Sequence, residues 1–244
     1  MVQTLNHPRR QPKDRASSRP SHTVCELVGP AGAGKSTLAR SLCESTPVET
    51  TLGIEFSRAA ALRGWAKTML SLYSTQLRQC RGSRWLNRDE QRFIFLLGGW
   101  RQHLEDTRNS NEHSRLTIID HGPVFRLTYL RIYGPRVTQT RRFQKWSESM
   151  LSAWSALLDT IIYLDAPDDV LAARVCRRTS DCKGLKSHSL SEARDCILRF
   201  RQGYAETLDA LARHGGPRVV RLDSSRCSPE SIAARVRTEL EVAL

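Results

Sequence analysis

The stretch GPAGAGKST, residues 29–37, is rich in glycine and closes on a lysine and two hydroxyls. These residue types at this spacing suit the binding of a phosphate chain. Gly29, Ala31, Gly32, Ala33 and Gly34 let backbone N–H groups turn inward as an anion nest. A helix starting near Lys35 adds the positive end of its dipole. Lys35 can bridge the β- and γ-phosphates of a nucleoside triphosphate, the Ser36 hydroxyl can hold Mg²⁺, and Thr37 follows it at the helix start. A glycine-rich turn with no ligand is the alternative. The pattern alone does not separate kinases from switches or motors.

Two further groups could do chemistry with such a ligand. Asp120 ends the apolar run LTIID and is followed at once by His121, Gly122 and Pro123. A charge at the end of a buried strand is costly unless it has a partner. Ligands of parallel sheets sit outside the carboxyl ends of the strands. There Asp120 can hold Mg²⁺ together with Ser36, or accept the proton of an attacking hydroxyl; a strand-end cap is the structural alternative. In VLAARVCRR, Arg174 and Arg178 share a helix face at i, i+4, with Arg177 beside them. Lys183 and Lys186 follow in a basic loop. Such arginines can close over a triphosphate and stabilise transition-state charge, or simply be a solvated helix end favoured by the dipole.

Elements must position these groups. TVCELVG is an apolar run before the glycine-rich loop, and KSTLARSLCE has helical spacing after it. PVETTLGIEF suits a second strand, and residues 57–108 suit two helices separated near QCRGSRWLN. RLTIID is a third strand, residues 138–158 a long helix, and TIIYLDAP a fourth strand. Pro167, Asp168 and Asp169 open the next helix. A helix from about Ser189 to Arg213, a strand at GGPRVVRLD and a helix after Ser228 and Pro229 close the chain. Strands apolar nearly throughout, alternating with helices, imply a parallel sheet covered on both faces.

The chain has 244 residues and a formal charge of +13. Residues 1–22 are polar, basic and proline-rich and read as a disordered tail; residues 23–244 read as one domain. A second basic block, residues 126–145, contains no acid. This balance suits a polyanionic partner or solvated helix faces. No apolar run is long enough to span a membrane. The cysteines at 25, 43, 80, 176, 182, 196 and 227 form no C-x-x-C pair and read as reduced thiols of a cytoplasmic protein. The histidines outside position 121 show no metal-ligand spacing and read as surface residues. The tryptophans at 65, 100, 146 and 154 read as core, with Trp85, beside Arg84, as a candidate stacking surface.

From Thr23 onward the chain resembles a P-loop kinase of the nucleoside/nucleotide kinase group, with thymidylate and deoxynucleoside kinases as relatives. It is also similar to small kinase-like proteins of the AAA family ATPase type. GPAGAGKST, IIDHGPVF, LDTIIYLDAPDDVLAARVCRR and the closing RLDSS and SPESIAARV carry the likeness. The resemblance implies an α/β, three-layer P-loop NTPase fold with a five-stranded parallel sheet in order 2-3-1-4-5, and a lid at about residues 174–190. It implies phosphoryl transfer from ATP to a small-molecule acceptor, a nucleoside or nucleotide foremost, with Mg²⁺ as cofactor. Catalysis would fall to Lys35, Asp120, Arg174 and Arg178. Asp223 and Ser224 would lie against adenine, joining Arg177 and the glycine-rich loop in holding ATP.

The sequence also departs from that group. The relatives follow the strand-three acid with arginine, and this chain has His121. Arg126, five residues further on, cannot simply take its place. Glu55 is the candidate base near the acceptor, with Arg58 or Arg63 as anion anchors. A sugar, an antibiotic, another metabolite or a nucleic-acid 5′ end are alternative acceptors. A nucleotide-dependent binding module with slow hydrolysis is a reading from another class. Nucleic acid is the less favoured partner, and the oligomeric state, a homodimer included, stays open.

Overall fold

The computed structural model describes residues 22–45, 48–50, 56–109, 115–177 and 189–241. Along the chain run β1 (His22–Val28), α1 (Lys35–Ser45), β2 (Val48–Thr50), α2 (Arg58–Gln79), α3 (Arg88–Asn109), β3 (Arg115–Asp120) and α4 (Pro123–Tyr133). A 3-10 turn at Arg136–Gln139 leads to α5 (Arg141–Leu157), then β4 (Thr160–Asp165), α6 (Asp168–Cys176), α7 (Leu190–Arg213), β5 (Arg218–Asp223) and α8 (Pro229–Glu241). The strands pair in parallel in the order β2-β3-β1-β4-β5.

Strand residues alternate between two cores, as the two-residue period of a strand requires. Val24, Val28, Ile119, Ile161 and Tyr163 face one, shared with α3, α4, α5 and α7. Cys25, Leu27, Ile118, Ile162 and Leu164 face the other, shared with α1, α6 and α8. All of β1 is buried, so it reads as a nearly continuous apolar run. Its polar exceptions are His22, Thr23 and Glu26, and Glu26 is fully buried on the α4 side. A third cluster joins α2 and α3 to α4 and α5 through Leu72, Ile94, Leu130 and Phe143.

The register brings Leu27 beside Asp120 and Val28 beside Tyr163. The glycine-rich loop, Asp120 and Asp165 therefore emerge at one edge. After β1 the chain builds β2 and β3 on one side, then β4 and β5 on the other. The edge is thus a topological switch point, where ligands of such sheets bind.

Several sequence expectations need correction. His22, assigned to the tail and read as a surface residue, begins β1, and its Nε2 pairs with Thr117 Oγ1 at 2.7 Å. Residues 123–133 form a helix that the charge of this block concealed. Pro123 at its first position is pre-set for a helix, and Val124, Leu127 and Leu130 bury one face. The basic block is therefore no single surface: Arg126 is buried, while Arg131 pairs with Glu206. The long helix expected over 138–158 begins at Arg141, where the Thr140 hydroxyl accepts from Phe143 N. The tail and most of the expected lid, including Arg178, Lys183 and Lys186, lie outside the described residues.

Candidate functional site

The loop between β1 and α1 presses against β4. A Cβ on Gly29 would lie 2.0 Å from the Leu164 carbonyl oxygen, and its φ of 145° is open only to glycine. Gly32 has φ 85°, with the Leu171 carbonyl oxygen 2.8 Å from where its Cβ would stand. These constraints hold the loop as a fixed cradle. Lys35 lies across it, with Nζ donating to Gly29 O at 2.7 Å and Pro30 O at 3.0 Å. No acid occupies the first turn of α1, so its dipole stays uncompensated there.

Asp120 reaches this cradle from β3. The Ser36 hydroxyl donates to its Oδ2 at 3.4 Å, and His121 Nδ1 stands 3.4 Å from Oδ1. His121 has φ 56°, the left-handed region that costs a side-chain-bearing residue on the order of 1 kcal/mol. Its ring meets Phe125 edge-on, centroids 4.5 Å apart. Burial holds the imidazole below its usual pKa, aided by the charges of Lys35 and Arg126 and opposed by Asp120. Burial thus disfavours the imidazolium form that would replace the charge of the missing arginine.

Glu26 lies beneath this corner. Its Oε2 accepts from Val124 N at 3.1 Å and its Oε1 from Phe125 N at 3.3 Å. It thereby caps α4, whose own N-cap, Gly122, has no side chain to do so. A Cβ on Gly122 would meet the Glu26 carboxyl carbon at 2.7 Å. Burial outweighs the two N–H donors and pushes the Glu26 carboxyl up to about 8.

Two cavities meet at the loop, and Gly32 and Gly34 line both. One, of about 410 Å³, lies between α1, α6 and the start of α8, against Leu38, Leu164, Arg174, Arg177, Ser224 and Ile232. There Arg174 donates to Gly32 O at 3.3 Å, Ser224 Oγ at 3.1 Å and Ser224 O at 3.0 Å. Asp223 turns to its own loop, accepting from Ser225 N at 2.8 Å and Ser225 Oγ at 2.5 Å. The Ser225 hydroxyl holds that carboxyl below its usual range.

The second cavity, of about 470 Å³, opens on the Lys35 and Ser36 side. Phe93 and Leu96 come from α3, Phe125, Arg126 and Tyr129 from α4, and Phe200 and Tyr204 from α7; His121, Asp89 and Arg92 complete it. Burial raises the Tyr129 and Tyr204 hydroxyls above their usual pKa, so both stay protonated. Arg201, next to Phe200, donates to Asp165 and to Ala166 O at 2.6 Å, and pairs with Asp168. It fixes α7 to the end of β4 and the start of α6.

Of the residues singled out from sequence, the structure gathers Gly29, Ala31, Gly32, Ala33, Gly34, Lys35, Ser36, Thr37, His121, Arg174, Arg177 and Ser224 around these two cavities, with Asp120 beside Ser36. Arg58 is exposed at the start of α2, and neither it nor Arg63 lines either cavity. Glu55 and Arg178 lie outside the described residues. Trp85 packs edge-on against Tyr73 and Arg84 is bound to Glu90, and neither lines either cavity. The sequence reading missed Glu26, Asp89, Arg92, Phe125, Tyr129, Phe200 and Tyr204. Spacing carried part of the signal: Phe125, Tyr129 and Tyr133 recur every four residues, as do Phe200 and Tyr204. Among the described residues, no group of three or more His, Cys, Asp or Glu could hold a metal ion. No helix among them is long and apolar enough to cross a membrane.

No family model and no curated protein matches the chain. Solved structures do. The deoxyadenosine kinase from M. mycoides, with the products dCMP and a flexible dCDP bound, aligns over 90% of this chain and 100% of its own, with 13% identity and a TM-score of 0.51. The YorR protein from Bacillus subtilis, in complex with phosphorylated GDP, covers 90% of this chain and 96% of its own at 18% identity and a TM-score of 0.48. Shikimate kinase from Bacteroides thetaiotaomicron covers 90% and 98% at 15% identity and a TM-score of 0.43. At such identities the likeness is one of architecture, and it agrees with the loop, the strand order and the switch point: the chain has the fold of the P-loop kinases.

Proposed function

We propose that the protein is an ATP-dependent phosphotransferase that moves the γ-phosphoryl group to a small-molecule acceptor, of nucleoside or nucleotide type. The observation that carries this reading is the pair of cavities meeting at one phosphate-binding loop. A switch or a hydrolase needs room for the nucleotide alone. A kinase needs a second compartment, walled from water, in which an acceptor faces the terminal phosphate.

The residues present fit ATP and Mg²⁺. Glycines 29, 32 and 34 have positive φ, the geometry of an anion nest. The cavity beside Arg174, Leu38 and Ile232 is the compartment for the base. A divalent ion prefers oxygen ligands and readily takes part of its shell from phosphate; Ser36 and Asp120 are the side chains that would hold it. Bound Mg²⁺ would neutralise charge on the phosphate oxygens. Lys35 would exchange its contacts with Gly29 and Pro30 for phosphate oxygens. The alternative role for Asp120 is to accept the proton of an acceptor hydroxyl, which His121 could orient. Arg174, tied to Gly32 and Ser224, supports the cradle and the base compartment. The aromatic walls from α3, α4 and α7 suit a flat acceptor and exclude water.

The test is ADP release measured across nucleosides, nucleotides and sugar derivatives. Release that rises steeply with one acceptor supports the reading. Slow release that no acceptor accelerates, with salt-sensitive nucleic-acid binding, would replace it with a nucleotide-dependent binding module.

A further inference from the structure

Arg126 is 7% exposed, and arginine is rarely buried unless paired. Its guanidinium has no hydrogen-bond or ion-pair partner among the described residues, and its Nε is buried without one. The group lies between two rings, 4.8 Å from the Phe93 centroid and 4.5 Å from that of Trp100. These contacts hold it flat and favour its charge. They leave the in-plane Nε–H without a partner, and the terminal N–H groups make no hydrogen bond to a described residue. Glu26 and Asp120 favour its charge only through space, and Glu26 has turned its oxygens to the α4 backbone. Burial lowers Arg126 to about 10, so it remains a cation at neutral pH.

Arg126 lines the second cavity together with Lys35 and Arg92, against Asp89 as the acid of that wall. The cavity is thus an apolar, aromatic-walled space with an excess of positive charge and a pre-oriented guanidinium that lacks its anion. Low-dielectric surroundings strengthen any charge pairing made there.

We propose that Arg126 is the anion anchor of this cavity and that the molecule it takes presents a carboxylate or phosphate oxyanion to the guanidinium. This rests on reading the cavity as the acceptor site, and it narrows the acceptor from neutral nucleosides to anionic molecules with an apolar or aromatic body. Arg126 then takes over the anion-binding role for which the sequence has no arginine at position 121.

Calorimetric binding tests the assignment on the full chain, with ADP present and absent. The probes are matched pairs: nucleosides against their 5′-monophosphates, and aromatic hydroxy acids against their methyl esters. The expected result is that one anionic series binds about ten- to a hundred-fold more tightly than its neutral partners, the size of a charge-assisted contact in a partly dry site. Which series does so tells phosphate from carboxylate. Arg126→Met should reduce that preference to within about two-fold, and Arg126→Lys should keep part of it, because charge is retained while the planar fork is lost. Circular dichroism checks folding, and Arg126→Lys keeps the test decisive if Arg126→Met unfolds. Equal binding of both members of every pair, or a preference unchanged in the variants, overturns the assignment. ADP release that no acceptor accelerates, alongside an Arg126-dependent anion preference, would sink the phosphotransferase reading and leave the anion site standing. Acceleration by neutral acceptors alone would do the reverse.

Discussion

Lys35 holds two carbonyls of its own loop, and that contact says what its removal does. Lys35→Ala loses part-buried hydrogen bonds to Gly29 and Pro30, which costs about 1–2 kcal/mol of stability and leaves the protein folded. Turnover should fall by at least about a thousand-fold, since such a lysine acts on charge that develops in transfer. Acceptor-stimulated ADP release and a thermal melt on the same preparation check both halves. Asp120→Asn should likewise fold normally and lose activity by about a hundred-fold or more, with a shifted Mg²⁺ dependence; wild-type rates would make Asp120 a strand-end cap. His121 offers the opposite pattern. His121→Gly removes left-handed strain of about 1 kcal/mol, so its melting temperature should equal or exceed that of the wild type while turnover drops. A drop in both would mean that the ring contact with Phe125 outweighs the strain.

At the scale of elements, α4 is the piece that brings Phe125, Arg126 and Tyr129 to the cavity, and Glu26 sets where it starts. The raised pKa of Glu26 makes a signed prediction. Its folded value of about 8 lies above the ordinary 4.5. Between those values the folded state binds the proton more tightly than the unfolded state does, so stability falls as pH rises through the window. Melts from pH 4.5 to about 8 should therefore decline, and Glu26→Gln should be flatter over the same range, though lower at the acid end for want of a second acceptor. A second element-scale prediction concerns Arg201. Removing it by Arg201→Met breaks charge-assisted bonds to Asp165 and Asp168 that are only partly shielded from solvent. The cost should be about 1–2 kcal/mol. Because α7 carries Phe200 and Tyr204, acceptor KM should rise more than nucleotide KM. Equal rises would mean that the clamp serves stability alone.

Across the whole molecule, what the sequence revealed was what is contiguous or periodic. The glycine-rich loop is a single run of nine residues, and Asp120 follows an apolar strand directly, so type and spacing suffice to single out both. The strand–helix alternation gave the parallel sheet. Burial was not legible. Arg126 counted as surface charge in a basic block, yet it is sandwiched between rings from α3. Glu26 sits in an apolar run that gives no hint of a cap on a helix nearly a hundred residues later. The aromatic cavity draws on α3, α4 and α7, and no sequence interval links Phe93 to Phe200. Such sites arise when distant elements pack together, and packing follows from the fold as a whole.

The loop shared by both cavities has a further consequence. Gly32 and Gly34 form part of each compartment, so on the proposed function the two ligands would lie on either side of a wall only one loop thick. One molecule carrying both halves, a nucleoside joined to an acceptor-like group through a chain of phosphates, would occupy both compartments at once. Its second half would bind at an effective concentration set by the tether rather than by solution, a gain on the order of a hundred-fold or more over either half alone when the chain length matches the gap. A series of such tethers of increasing length would therefore act as a ruler, with the tightest member giving the span between the two compartments.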